Sequence, residues 1–510
     1  MFKTKIDRLE TFDGILLAVS IFLAYALGLI LYRIYLHPLR RFPGPRLAAI
    51  SNLYELYFDY VHDGQFVFEV ERMHQKYGPI VRINPREIHI SDPEFYEQIY
   101  AGGSRRRDKD RKFVPVYTMP HSLVSTVGHD LHHRRHRVMG NYFSKQSTTN
   151  REPIMNYYIQ RLLRRFEQSQ KTGECITLNN AFAAMTGDII TKYAYGKDFG
   201  YLEDNDYKAK WKAAVSGSLK TGVLFRHFPF LDLYKFLPST LVQVVSPGIG
   251  EILFIEDLIR KQVERLLSTT KDAKAESTIF DALLDPAVPA EEKTADRLTD
   301  QGHMLLVAGT ETTANTLTTI AFHLLKNPRL LADLREELKV AMSAPGSPLT
   351  WSSLEKLPFL NGVVQEGLRL SLGAASRLPR VAPNENLQYG DWIIPAGTPM
   401  STATYFVNMN PSIFPNPKKF DPRRWITASE KGQRLEKYMV SFTKGSRQCL
   451  GFSLANAELY LTVATIFQQL DMELYDTSDD DCGFHRDCFL PAAKRGSNGV
   501  RVIIKGFATQ

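Results

Sequence analysis

The sequence predicts a mainly α protein of the α+β class: one large helix-rich domain with small β-sheets, plus one N-terminal transmembrane helix. Three observations carry that reading. Helix-period apolar patterns follow one another from about residue 152 to 266 and again from 300 to 372. Two stretches alternate like hairpins, "IVRINPREIHIS" (Ile80–Ser91) and "LQYGDWIIPAG" (Leu387–Gly397). Near the N-terminus, "GILLAVSIFLAYALGLILY" (Gly14–Tyr32) carries no charge.

The N-terminal elements come first. Residues 1–13 form a flank and 14–32 an anchor, whose helix would span about 28 Å, close to one hydrocarbon core. A cleaved signal peptide would have a shorter apolar core and a small-residue cleavage site. Here Arg33, His37, Arg40 and Arg41 follow instead. The Lys/Arg balance across the span favours the C-terminal side in the cytosol. Residues 33–46, with "HPLRRFPGP" (His37–Pro45), read as a stiff proline-rich hinge. Residues 47–510 read as one globular domain.

Within it, Phe66–Tyr77 reads as a helix ended by Gly78, Asp300–Leu325 as a long apolar helix, and Arg329–Met342 and Leu354–Leu372 as two more. A Pro/Asn-rich coil, Asn408–Trp425, leads to a loop and a last helix.

Composition narrows the function. The chain of 510 residues is 44% hydrophobic and 23% charged, which excludes bulk disorder. A net charge of +8 suits an acidic partner or an anionic membrane surface. No basic run with interleaved aromatics supports a nucleic-acid partner. The densest basic run, "SRRRDKDRK" (Ser104–Lys112), is mixed with acids and reads as a solvated loop. The 4 cysteines show no CxxC or zinc spacing. Cys482 and Cys488 are close enough in sequence to pair, but the pattern suits free thiols in a reducing compartment.

The loop "SFTKGSRQCLGFSLANAEL" (Ser441–Leu459) carries the chemistry. A thiolate at Cys449 is a soft donor and a good ligand for haem iron. Gly445 and Gly451 permit tight turns and close approach of a flat ligand. Arg447 has the reach to hold a carboxylate of that ligand, and Phe442 to cover the site. The helix starting after Leu450 would lower the thiol pKa. The plainer alternative is a buried structural cysteine. Two other strings stand out. Glu366 and Arg369 lie one helical turn apart, a good ion-pair spacing. "LLVAGTETTANTL" puts glycine and four threonines in a long helix, which weakens it or lets a neighbour approach closely.

Phe442, Gly445, Arg447, Cys449 and Gly451 match F-x-x-G-x-R-x-C-x-G at every fixed position. The chain thus resembles the cytochrome P450 monooxygenases. The resemblance spans the anchor, the proline hinge and all later motifs, and implies the cytochrome P450 fold with 47–510 as a haem-thiolate catalytic domain. It implies haem b with Cys449 as the axial iron ligand, and Glu311 and Thr312 as the acid–alcohol pair that delivers protons. Glu366, Arg369 and Arg424 (in "FDPRRW") would form a structural triad locking the coil. Many members carry Glu where Arg423 stands. Arg380, in "RLPRVAPNE", and Arg447 would meet haem propionates. The family's W-x-x-x-R of helix C appears here as His132 and His136, with Arg137 one residue out of register. One of these three would take a propionate.

The expected activity follows from the resemblance: insertion of one oxygen atom from O2 into an apolar small molecule. Some strings, such as "HSLVSTVGHDLHHRRHR", resemble trichodiene-oxygenase-like enzymes of fungal secondary metabolism; a terpenoid is the preferred substrate, with a polyketide, alkaloid or other secondary-metabolite intermediate as the alternative. Electrons would come from NADPH through cytochrome P450 reductase, with cytochrome b5 as a further partner, docking near Lys444, Arg134 and Arg135. The expected location is the endoplasmic reticulum membrane, single-pass, with the catalytic domain cytosolic. Expected pocket walls are Val114–Leu123, Leu305, Ala308, Ala374, Ala375 and Phe489, with Leu224–Leu237 dipping into the membrane. Two rivals are a haem-thiolate rearrangement enzyme without reductase and a non-catalytic haem-binding membrane protein.

Overall fold

The computed structural model describes residues 3–228, 231, 242, 247–268, 278–342 and 350–507. Helix α1 (Lys3–Leu31) continues through a wider-pitched turn at Tyr32–Leu36. Its window from Asp13 to Leu36 has a mean hydropathy of 2.5 and no buried residues, so it is long and apolar enough to cross a membrane. The following segment is less hinge-like than its prolines predict. Leu39 and Phe42 are buried in a core cluster with Ile80, Ile90 and Met400.

The longer helices of the body are α2 (Phe66–Tyr77), α3 (His129–Gly140), α4 (Glu152–Thr172), α5 (Leu178–Tyr195), α6 (Ala209–His227), α7 (Pro247–Ser268), α8 (Ala295–Lys326), α9 (Pro328–Met342), α10 (Pro358–Ser371), α11 (Arg423–Glu430) and α12 (Phe452–Gln469). Helix α8 is the axis of the domain and packs against α5, α7, α10 and α12. It starts where the Thr294 side chain accepts from the Arg297 N–H, an N-cap, and stops before Pro328. Gly309 is one packing device of this axis. A Cβ there would sit 2.6 Å from the Ile190 side chain of α5. Leu354–Leu372, expected as one helix, is divided: Trp351–Leu354 forms a short turn, and α10 starts afresh with Pro358 at its first position. Proline cannot donate within a helix but fits its first turn.

The strands are β1 (Ile80–Arg82), β2 (Ile88–Ile90), β3 (Asp108–Lys109), β4 (Ile176–Thr177), β5 (Arg380–Val381), β6 (Leu387–Tyr389), β7 (Trp392–Ile394), β8 (Pro399–Ser401), β9 (Leu470–Leu474), β10 (Arg486–Cys488), β11 (Leu490–Ala492) and β12 (Arg501–Phe507). Both expected hairpins are present, as β1–β2 and β6–β7. The main sheet has the order β1-β2-β8-β5-β3, and β4-β12-β9 forms a second. The basic run Ser104–Lys112 is not a solvated loop. It holds β3, and Arg107, Lys109 and Asp110 are buried. Cys482 and Cys488 are both free thiols. Of the expected membrane-dipping segment Leu224–Leu237, Leu224–His227 closes α6, and residues 229, 230 and 232–237 lie outside the described residues.

Candidate active site

The cysteine loop is built by its own backbone. The Cys449 N–H donates to Phe442 O at 2.9 Å, and Gln448 N–H to Gly445 O at 3.1 Å. Gly445 has φ +75°, and a side chain there would run into the carbonyls of Tyr100 and Ala101. Gly451 differs, because its φ is −83° and a Cβ would meet nothing within 4 Å. The Phe442 ring stands edge-on to Phe452, with centroids 4.9 Å apart. Burial pushes the Cys449 thiol above its ordinary pKa, while the Gly451 N–H pulls it back.

Cys449 opens onto a cavity of about 290 Å³. Helix α8 roofs it with Leu305, Ala308, Gly309 and Thr312, and α3 contributes His132 and His136. Lys109, Arg380 and Arg447 stand on its wall, as do Phe442 and Gly451. Of the expected apolar walls, Tyr117, Leu123, Leu305, Ala308, Ala374 and Phe489 line it. Ala375 does not; it is fully buried and its N–H donates to Phe489 O at 3.0 Å.

The profile of the cytochrome P450 family matches residues 43–495. The conidiogenone synthase of Penicillium rubens is 43% identical over 489 residues, 96% of this chain and 98% of that one. A cytochrome P450 monooxygenase of Penicillium brasilianum is 41% identical over 497 residues, 96% of this chain and 97% of that one. The cytochrome P450 monooxygenase TRI4 of Fusarium sporotrichioides is 43% identical over 460 residues, 90% of this chain and 88% of that one. The chain belongs to the cytochrome P450 family. It is a P450 monooxygenase, and its family implies a haem-thiolate centre.

The residues of this P450 fit such a group on two observations. Gly451 leaves free the space that a side chain would fill beside Cys449. The wall also carries three buried cations, with the buried Glu458 elsewhere on it. Arg380 is 4% exposed, Arg447 7% and Lys109 9%. Among the described residues none of the three is in an ion pair. Arg447 donates to the carbonyls of Arg107, Thr126 and Val127 at 2.9, 2.8 and 2.5 Å. Arg380 donates to Leu378 O at 2.9 Å and lies 5.1 Å over the Tyr100 ring. Buried charges need partners, and two carboxylates of a planar ligand would supply them. The His132 imidazole is pushed down to about 2, by burial first and then by Arg447 and Lys109, so it is neutral. Burial also lowers His136. Arg137 is exposed and does not line the cavity.

Glu311 and Thr312 face different spaces. The Thr312 hydroxyl donates to Ala308 O at 2.8 Å and lies on the wall of the first cavity. Glu311 faces a second cavity of about 390 Å³, whose lining includes Lys212, Asn315, Thr318, Thr319 and Ser371. Lys212 Nζ stands 3.5 Å from Glu311 Oε2, and the buried Oε1 has no hydrogen-bond partner among the described residues.

The three residues expected to lock the coil meet. Glu366 and Arg369 are fully buried, and Arg369 Nη2 stands 2.6 Å from Glu366 Oε2. Arg424 Nε stands 2.7 Å from Glu366 Oε1, and Trp425 Nε1 donates to the same oxygen at 3.0 Å. Arg369 then donates to the carbonyls of Asn408, Pro417 and Lys419 in the coil. Arg423 finds its partner in Asp333, at 2.7 Å. On the outer side of Cys449, a depression is lined by His129, His133, Arg134 and Gln448. Arg134 is exposed there, and Lys444 is tied to Glu97 at 2.8 Å. Arg135 is half-buried, paired with Glu292 at 2.7 Å, and donates to Thr126 Oγ1. Sequence reasoning missed Lys109, Lys212 and Trp425. The string "DKD" held a signal for the first, since strand alternation separates a lysine from acids on either side.

Proposed function

We propose that this P450 inserts one oxygen atom from O2 into an apolar small molecule, a terpenoid or another fungal secondary-metabolite intermediate. It uses haem b held through Cys449 Sγ and NADPH electrons from cytochrome P450 reductase. The observation that supports this best is the shared cavity of Cys449, Thr312 and three buried cations that are in no ion pair among the described residues. When bound, the haem supplies O2 activation, favoured by electron density from the thiolate. Two electrons and two protons accompany each O2; one oxygen ends in the product hydroxyl and the other in water.

The protein's part is position and protons. Arg380 and Arg447 hold the propionates, and His132 and His136 offer neutral donors beside them. Glu311 takes protons from the polar second cavity, and Lys212 steadies its carboxylate. Thr312 Oγ1 exchanges its bond to Ala308 O for a water in the haem cavity and passes the proton on. Leu305, Ala308, Ala374 and Phe489 select an apolar substrate. The name of the Penicillium rubens relative, a conidiogenone synthase, agrees with a role in building a secondary metabolite. Residues 14–32 anchor the chain once in the endoplasmic reticulum membrane, and residues 47–510 form the cytosolic catalytic domain. The reductase docks at the depression outside Cys449, beside Arg134.

The test is the visible spectrum of the reduced, CO-bound protein for wild type and Cys449→Ala. A strongly red-shifted Soret band that the substitution abolishes is expected. Absence of haem, or a band unchanged in Cys449→Ala, would remove the axial ligand and the monooxygenase reading with it.

A further inference from the structure

The charge that the family's helix C usually lends to the propionates is missing from α3 of this chain. Its two side chains on the cavity wall are His132 and His136, and Arg137 is exposed. We infer that Lys109, on strand β3, is a third propionate-binding cation that supplies this charge. The inference rests on the haem-thiolate reading above.

The register of the sheet carries the argument. Strand β3 pairs antiparallel with β5, and Lys109 stands directly opposite Arg380. Opposed residues of a ladder project from the same face, and like charges placed so repel. Among the described residues no carboxylate forms an ion pair with either of them. Asp108 and Asp110 flank the lysine, but both are already engaged. Asp108 Oδ1 accepts the His129 N–H at 2.7 Å, and Asp110 Oδ1 accepts from Arg86 at 2.7 Å. Lys109 itself turns inward, 9% exposed, and its ammonium donates to Val124 O. It sits 5.1 Å from the centre of the Tyr117 ring, on the same cavity wall as Arg380 and Arg447. An ammonium has three N–H groups, so this carbonyl leaves donors for an anion.

The backbone holds the lysine there. Its own N–H donates to Val127 O at 3.0 Å, while Arg447 ties down the carbonyls of Arg107, Thr126 and Val127. The cysteine loop, through Arg447, thus fixes the strand that presents Lys109. Three converging cations, each lacking an acid, fit the two propionates of one haem better than a single carboxylate.

The holoprotein tests this directly. Haem loss to excess apomyoglobin and the midpoint potential are measured for wild type, Lys109→Met and Lys109→Arg. Loss of one charge-assisted contact should speed haem release by about tenfold in Lys109→Met. Removing a fixed positive charge should also make the midpoint potential more negative, a change that a purely packing role would not cause. Lys109→Arg should retain both wild-type values. If Lys109→Met does not accumulate folded, Lys109→Gln provides the neutral side chain with a donor for Val124 O. A folded neutral variant with wild-type haem release and potential would overturn the assignment. A wild-type protein without the red-shifted CO band would instead overturn the haem-thiolate reading on which it rests.

Discussion

Two groups of buried cations in this P450 look alike in sequence and differ in one respect. Arg369 and Arg424 close on Glu366, and every contact they make is to the chain itself. Arg380, Arg447 and Lys109 are equally withdrawn from water, yet no carboxylate closes on them among the described residues. The closed group is finished by folding. The open group is finished only by a ligand that brings the missing negative charge. The contrast separates arginines that hold the fold from cations that hold something else, which burial alone does not do.

The largest effect should come from opening the closed group. Glu366→Ala leaves the buried Arg369 and the half-buried Arg424 without their shared counterion and releases the Trp425 N–H. Breaking a buried pair this way typically costs about 3–5 kcal/mol. Thermal melts should therefore fall steeply for the haem-bound and haem-free chain alike. A variant that melts near wild type would show that the closed group does not lock the coil.

The converse holds at the open site, where function should fail while stability stays. Thr312→Ala removes a hydroxyl that, among the described residues, bonds within its own helix to Ala308 O. Its melting temperature should stay close to wild type, because the loss is one partly exposed side-chain bond. NADPH consumption should continue while product falls and hydrogen peroxide appears. A fully coupled Thr312→Ala enzyme would refute the proton role assigned to the threonine.

The same contrast explains what could be read from sequence. The cysteine loop is local: Phe442, Gly445, Arg447, Cys449 and Gly451 meet through backbone bonds spanning a few residues, so their spacing announces them. Glu366 and Arg369 are one turn apart, and the coil motif around Arg424 is as regular. Glu311 and Thr312 adjoin, so the string names both, but not that they face separate cavities. Lys109 was hidden because its meaning depends on lying across a ladder from Arg380, far along the chain. Read alone, it belongs to a charged run that looks solvated. Helix lengths were legible wherever period and caps agreed, and failed at Leu357–Pro358, where an apolar pattern runs through an interruption of the helix.

The smallest expected effect concerns protons on the open wall. The His132 imidazole has an ordinary pKa near 6.5, pushed down to about 2 in the folded chain by burial and by Arg447, Lys109, His136 and Arg380. Below 6.5 the unfolded chain takes up a proton that the folded chain refuses, so stability falls as pH falls through that value. By about pH 5.5 the loss from this one residue amounts to about 1.4 kcal/mol in the haem-free protein. Other lowered histidines, such as His74 and His323, add to the acid loss, so the reading must be a difference. His132→Asn should flatten the fall in melting temperature between pH 7.5 and 5.5 for the haem-free chain. Propionates beside His132 would favour its charged form and raise its pKa, so the substitution should change that fall much less in the holoprotein. Equal flattening in both states would mean that the wall stays positively charged when haem is bound, and the open group would then have to find its counterions elsewhere.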